Sequence, residues 1–310
     1  MIQKKFLPNL FVLGVARCGT TFLYHYLRSS ADVCMSDPKE PLFFEYEYDK
    51  GLDFYRKTYF PHWRGEKVIG EARHRNLYLP FVPESIFKTN PSAKLIVIAR
   101  NPVERAYSHW WCFYSSRRIK LRFGEAIEKN YQRIRRGIKC RTREEYKKHF
   151  NPNFPYYMNV DTYIDSGYYY EQIQRYRRYF SDKQIKVLLF DDLVKHSEKF
   201  FRELDAFLDI GTSSFNGGAS EKNAANRLMG IKPVEVLVQY SWLRGLKDLI
   251  PAQMRLNIKK AYNQIFFKRN ETSEKTRDWL IKHYYEHNRN LEKYIKRDLS
   301  HWDQKSEQPE

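Results

Sequence analysis

The sequence predicts an α/β protein: a P-loop-like, mainly parallel sheet flanked by helices on both faces, with a helical C-terminal part. Three observations predict it. Short apolar runs bounded by turn residues recur at 10–15, 67–71, 94–100 and 185–190. Between them lie stretches whose apolar residues fall three and four apart, the spacing of a helix face. The first run leads at once through a glycine-containing turn into a helix pattern, the strand–loop–helix order that an anion-binding loop needs. Strands alternating with helices give parallel pairing and a sheet covered on both sides.

Leu10-Phe-Val-Leu-Gly-Val15 is apolar throughout, as a strand buried on both faces must be. A helix starts near Thr20 and carries Phe22, Leu23, Tyr26 and Leu27 on one stripe. Lys67-Val-Ile-Gly-Glu71 and Lys94-Leu-Ile-Val-Ile-Ala-Arg100 are the next strands. Asn101, Pro102 and Glu104 then stand at the N-cap, N1 and N3 positions of a helix. The asparagine oxygen accepts from free amides there, and proline loses no bond. Ile185-Lys-Val-Leu-Leu-Phe190 is a further strand. A helix over 197–208 spaces Phe200, Phe201, Leu204, Phe207 and Leu208 along one face, with Ser197 as its N-cap. Beyond 215 the pattern turns helical, and a long helix over 274–296 aligns Leu280, Tyr284, His287, Leu291 and Ile295. Residues 216–220 and 268–272 read as loops, and 303–310 as a frayed tail. No internal repeat is visible, so residues 1–310 read as one domain. The stretch 117–155 is an elaborated or mobile insertion within it.

Of the 310 residues, 42% are hydrophobic and 30% charged, which supplies a core and excludes a disordered chain. No apolar run approaches the ~20 residues of a membrane span, and the run from Leu10 to Ala16 lacks the length and the small-residue cleavage site expected of a signal peptide. Cys18, Cys34, Cys112 and Cys140 are scattered without a CxxC pair, so a reduced, cytoplasmic chain is expected. Lys+Arg 55 against Asp+Glu 37 gives a net charge of +18, which favours polyanionic or phosphorylated partners. From 117 to 148, 13 Lys/Arg stand against 4 Glu. That run reads as a solvated charged face, or as a guide for a sulfated, phosphorylated or uronic-acid glycan.

Gly14-Val-Ala-Arg-Cys-Gly19-Thr20-Thr21 has the Gly-x-x-x-x-Gly spacing of a nucleotide triphosphatase loop. Thr20 stands where such a loop needs lysine, so the cation for β- and γ-phosphates is absent. Arg17 sits inside the loop instead. This suits one phosphate-like group held by backbone and hydroxyls, although an ordinary glycine turn has the same pattern. The strand 94–100 ends in Arg100, at the carboxyl edge where open α/β sheets bind ligands. Arg105 and Ser108 share a face of the helix that follows. Two arginines and a hydroxyl beside a helix N-terminus make a second anion site, or Arg105 merely pairs with a neighbour. Two such sites with no Walker lysine and no acidic metal cluster point to a nucleotide carrying two separate phosphate groups.

On these residues the chain resembles the sulfotransferases that use 3′-phosphoadenosine 5′-phosphosulfate (PAPS), over nearly its whole length. The likeness is to bacterial members and to the heparan-sulfate N- and 3-O-sulfotransferase type. Gly14 to Thr21 is similar to that family's 5′-phosphosulfate loop, and Arg100-Asn-Pro-Val-Glu-Arg-Ala-Tyr-Ser108 to its 3′-phosphate motif. Lys39-Glu-Pro-Leu-Phe-Phe44 resembles the segment that supplies the catalytic glutamate, here Glu40. Leu291 to Trp302 is similar to its closing helix and tail. The resemblance implies PAPS as co-substrate, no metal, and in-line transfer to an acceptor hydroxyl or an amine with Glu40 as general base. It places Arg17, Cys18, Gly19, Thr20, Thr21 and Phe22 on the donor's 5′ end, and Arg100 and Ser108 on its 3′-phosphate. Arg17 takes the place of the usual lysine and is expected to clamp charge rather than give up a proton. Leu42 replaces a histidine that many relatives carry two residues after the glutamate, so Glu40 lacks a partner there. Gly70-Glu71-Ala72-Arg73-His74-Arg75 departs from a pattern closer to Gly-Glu-x-Ser-Pro. Its cations read as solvated surface, or as a contact for an anionic acceptor.

The expected partners are a small-molecule nucleotide donor and an acceptor of glycan type, neutral or anionic, with phenols, lipids and peptide tyrosines left open. Neither nucleic acid nor a membrane span is expected. A nucleic-acid-binding protein is the rival from another class, given the charge with 24 Tyr, 21 Phe and 6 Trp. Most of those aromatics fall at core spacings, however. A nucleotide kinase is the second rival, against which the missing lysine argues. His283-Tyr-Tyr-Glu-His287 has the spacing of one zinc-protease class but lacks a downstream third ligand, so it reads as a packed helix.

Overall fold

The computed structural model describes residues 6–137, 140–149, 162–211 and 271–304. Strands β1 (Leu10–Gly14), β2 (Val33–Met35), β3 (Val68–Ala72), β4 (Lys94–Ala99) and β5 (Ile185–Leu189) form one sheet in the order β2-β3-β1-β4-β5. Every pairing is parallel. The α/β expectation holds, and its four strands appear within a residue or two of their sequence bounds. β2 is absent from the sequence reading because three residues are too few to show a period.

Ten helices among the described residues surround the sheet: α1 (Thr20–Arg28), α2 (Gly51–Tyr59), α3 (Val82–Thr89), α4 (Pro102–Ser115), α5 (Phe123–Arg135), α6 (Arg143–His149), α7 (Tyr169–Arg177), α8 (Phe190–Lys195), α9 (Ser197–Leu208) and α10 (Glu271–Ile295). On α1 the buried apolar residues are Leu23, Tyr24, Tyr26 and Leu27, while Phe22 is half-buried against Phe201. The N-cap of α9 is His196, not Ser197, because His196 is the last residue with non-helical backbone; no side chain caps it. On α10, Leu280, Tyr284, Asn288 and Leu291 are buried, and Asn288 takes the inward place expected for its neighbour His287. The expected loop at 216–220 lies outside the described residues, as do 268–270 and 305–310.

A second apolar cluster lies beside the sheet's core, where Trp110 and Trp111 of α4 meet Phe123 and Ile127 of α5 and Leu280 and Tyr284 of α10. The basic stretch after 117 therefore contains a helix with one buried face.

The topology fixes where a ligand goes. From β1 the chain passes to β2 on one edge, whereas β3 crosses over β1 to reach β4 on the other side. The crevice between the carboxyl ends of β1 and β4 is thus the switch point, where open α/β sheets bind ligands. Residues 15–19 and Arg100–Asn101 leave the sheet at that place.

Candidate active site

The loop between β1 and α1 depends on its glycines. Gly14 has φ +146, and a Cβ there would lie 2.8 Å from the carbonyl oxygen of His74. Gly19 has φ +89, and its Cβ would meet Leu193 at 3.1 Å. Arg17 adopts φ 71 without being glycine, a conformation that costs of order 1–3 kcal/mol and clusters at functional sites. Among the described residues no acceptor takes up the amides of Gly19, Thr20 or Thr21. Three N–H donors at the positive end of a helix make a cradle for an anion.

The second motif folds against the first. Arg17 Nε donates to Ser108 Oγ at 3.1 Å, and Arg100 Nη1 donates to the Arg17 carbonyl oxygen at 3.2 Å. The Arg100 guanidinium also stacks 4.7 Å over the Phe190 ring. Asn101 caps α4 as expected, accepting from Val103 N at 3.0 Å and Glu104 N at 3.4 Å. Its Nδ2 donates to the Trp302 carbonyl at 3.2 Å, and Trp302 Nε1 donates to Asp191 at 3.0 Å, so the end of the chain is tied to the site.

The structure separates two readings that the sequence leaves open here. Arg105 is fully buried and donates to the Tyr163 carbonyl, so it backs the site from inside and presents no cation to a ligand. Cys18 is also fully buried, and burial pushes its thiol up to about 11; its side chain packs.

Glu40 follows β2 and has φ 68, the second non-glycine candidate in left-handed backbone. Its side chain is 11% exposed. Oε1 pairs with Lys39, while Oε2 takes Arg73 Nη1 at 3.3 Å, the His74 amide at 3.2 Å and His74 Nδ1 at 2.8 Å. Burial alone would raise its pKa, but His74, Lys39 and Arg73 outweigh it and hold the carboxyl well below the usual carboxylate range. Burial holds the His74 imidazole below the usual histidine value despite the carboxylate beside it.

The Arg73-His74-Arg75 cluster is therefore not solvated surface. Arg73 is 1% exposed and joins Glu40 to the buried Glu45, while Arg75 Nη1 donates to the buried Tyr146 hydroxyl at 2.8 Å. Glu71, within β3, is buried with Tyr55 and with Asn76 Nδ2 at 2.5 Å, and burial pushes it up to about 8. Sequence reading missed Lys39, Arg73 and His74 as partners of Glu40. The one signal was the departure at 72–75, which matters only once β3 is known to end beside Glu40.

His109, next to Ser108 on α4, was also missed. Its Nδ1 is buried without a hydrogen bond, and its ring packs on Phe113 and Tyr163. Burial first, then the Arg105 guanidinium, with Arg17 and Arg75 further off, holds it well below the usual histidine range.

A family model described as "Sulfotransferase domain" matches residues 7–303. The chain belongs to this family. It is 25% identical over 265 residues to a membrane-associated sulfotransferase, kil1, of Dictyostelium discoideum, covering 66% of this chain and 56% of that one. It is 31% identical over 156 residues to human heparan sulfate glucosamine 3-O-sulfotransferase 3B1, covering 47% of this chain and 40% of that one. The chain thus spans about half the length of these relatives. In fold it is similar to a sulfotransferase from Alicyclobacillus acidocaldarius, with a TM-score of 0.65 and 24% identity, covering 97% of this chain and 100% of that one.

Among the described residues no helix of this chain is long and apolar enough to cross a membrane. No three His, Cys, Asp or Glu side chains among them gather as metal ligands. The two histidines of the zinc-like spacing are engaged elsewhere: His283 with the Tyr168 hydroxyl at 2.7 Å, His287 with Glu171 at 2.5 Å.

Proposed function

We propose that this sulfotransferase moves a sulfuryl group from PAPS to an acceptor hydroxyl, with a carbohydrate as the acceptor. One observation carries the reading: the β1–α1 loop and the start of α4 meet at the switch point through the Arg17–Ser108 contact, with His74, the partner of Glu40, packing its main chain against Gly14 of the same loop. A donor with one anionic group at each end of a nucleoside suits that layout. The unbonded amides of Gly19–Thr21 and the left-handed glycines fit one end of it. The heparan sulfate relatives and the net charge of +18 support a glycan acceptor, anionic or neutral.

When bound, PAPS supplies the sulfuryl group and a stable leaving phosphate. The amides of Gly19–Thr21, the Thr20 and Thr21 hydroxyls and the Arg17 guanidinium hold the 5′ end and oppose the charge that develops there. Arg100 and Ser108 hold the 3′-phosphate and so set the donor's position. Arg17, permanently charged, clamps and does not donate a proton. Glu40 and His74 together receive the acceptor's proton.

The test is transfer of labelled sulfate from PAPS onto a panel of glycan, phenol, lipid and peptide acceptors, with Glu40→Ala as the blank. Glu40→Ala is expected to lower turnover ~100-fold or more while the donor still binds. A thermal-shift series with adenosine 3′,5′-bisphosphate, ATP–Mg and an oligonucleotide separates this reading from a kinase or a nucleic-acid binder. Stabilisation by the bisphosphate alone supports it, and selective stabilisation by either rival ligand overturns it.

A further inference from the structure

We propose that within the Glu40–His74 pair the imidazole is the group that touches the acceptor, its Nε2 taking the proton while Glu40 holds the ring. This rests on the sulfotransferase reading above and assigns the base within it.

The oxygens of Glu40 are already engaged. Four donors from Lys39, Arg73 and His74 converge on them, and the side chain is only 11% exposed. A carboxylate in that setting is a weak proton acceptor with little room for a fifth donor. His74 is 24% exposed, and its Nε2 has no hydrogen-bond partner among the described residues. The tautomer follows from chemistry: an ionised carboxylate can only accept, so Nδ1 at 2.8 Å carries the ring proton and Nε2 keeps its lone pair. A carboxylate that fixes Nδ1–H and steadies the imidazolium turns the far nitrogen into a base. The groups facing His74 are Glu40, with Lys39 behind it, Arg73 and Arg75 on its own segment, and His109 from α4. Together with burial they leave the ring neutral at pH 7, the form a base requires.

His74 is also well placed. Its main chain packs on Gly14 so closely that a Cβ there would lie 2.8 Å from its carbonyl oxygen. The residue that carries the imidazole thus borders the anion loop directly through its main chain. In the step, the acceptor O–H bond breaks and its proton passes to Nε2 as the oxygen bonds to sulfur. The bond from sulfur to the 5′-phosphate oxygen breaks, and its electron pair leaves on that phosphate. The imidazolium then loses its proton to water, leaving sulfated acceptor, adenosine 3′,5′-bisphosphate and one proton. Leu42 removes the nearer place for a histidine, and His74 reaches the same carboxylate from the end of β3.

Two measurements test this. Histidine 15N NMR of the free protein, with the His74 signal assigned by its loss in His74→Asn, is expected to show Nδ1–H with unprotonated Nε2 at pH 7.5. An Nε2–H tautomer overturns the proposal whatever the activity. In the transfer assay, His74→Asn keeps an amide donor for Glu40 and removes the base. It is expected to lose at least ~100-fold in kcat with bisphosphate affinity within about twofold of wild type. His74→Ala is expected to regain activity with added imidazole. An active wild type with His74→Asn retaining a third or more of its kcat overturns the assignment and returns the role to Glu40. A wild type that neither binds bisphosphate nor transfers sulfate overturns the sulfotransferase reading, and with it this step.

Discussion

Arg17 Nε donates to Ser108 Oγ at 3.1 Å across 91 residues of sequence, so the two anion motifs share one contact. Each is proposed to cradle its own end of a donor. Their contact means that the hydroxyl assigned to the 3′-phosphate also orients the cation assigned to the 5′ end. Ser108→Ala is therefore expected to weaken adenosine 3′,5′-bisphosphate by about 10-fold, since a hydrogen bond to a charged group is worth ~1.5–3 kcal/mol. Titration calorimetry reads this directly. With Arg17→Ala the double variant is expected to be less than additive, because the two side chains act as a unit. Full additivity would show that the contact does not matter for binding.

Arg100 is expected to matter more than Ser108 for holding the donor. Its guanidinium is set by the Arg17 carbonyl and the Phe190 ring, and both are orienting contacts rather than neutralising ones. No carboxylate pairs with it among the described residues. Arg100→Ala is expected to weaken the bisphosphate ~100-fold with little change in turnover at saturating donor. Arg100→Lys recovers only part of that, because an ammonium makes neither the planar stack nor a bidentate contact. Binding titrations alongside kcat at saturating donor check both parts.

The fold was largely legible because the sheet is parallel and buried on both faces: its strands show as apolar runs such as 94–100, and the cap at Asn101 is local chemistry. β2 was not, being three residues long. The loop and capped helix start of the proposed donor side were legible for the same local reason, since each is a strand running directly into a helix start in sequence. The acceptor side was not. Glu40 meets His74 and Arg73 only through the packing of β3, and no spacing rule connects residues 33 or 34 apart on separate segments. Arg105 stayed open in the sequence because helical phase tells which residues share a face, but not which of two faces looks inward.

Gly14→Ala tests whether the loop tolerates any side chain. The φ of +146 disfavours every L residue, and the obstructing atom is a backbone oxygen that cannot rotate away. The strain and the clash at 2.8 Å predict a loss of several °C in Tm and of bisphosphate binding together, since His74 must shift to make room. Gly51→Ala is the control: it also has positive φ, but a Cβ there meets nothing within 4 Å. The difference between the two variants in thermal unfolding isolates the contact from the backbone strain. Equal losses would place the whole cost in φ and acquit His74.

Glu71 makes the stability of this protein fall as pH rises through a defined window. Burial pushes its carboxyl up to about 8, while the unfolded chain titrates near the ordinary glutamate value of 4.5. Between those values the unfolded state has released the proton and the folded state still holds it. The unfolded state then binds fewer protons, so stability declines with rising pH until about 8 and levels off above. Glu40 acts with the opposite sign, because its depressed carboxyl adds stability that is lost only on acidification below the ordinary carboxylate range. His74, held below its usual value, adds stability above about 6.5 and also opposes the trend. Wild type alone thus reports a sum, and Glu71→Gln separates it. Gln is neutral at every pH and keeps an oxygen for Tyr55 or Asn76. The gap in Tm between Glu71→Gln and wild type is expected to move in favour of the variant from pH 5 to 8 and to stay constant from 8 to 9. Thermal unfolding by circular dichroism at half-unit steps measures it, and a gap independent of pH would mean that Glu71 is ionised in the folded core.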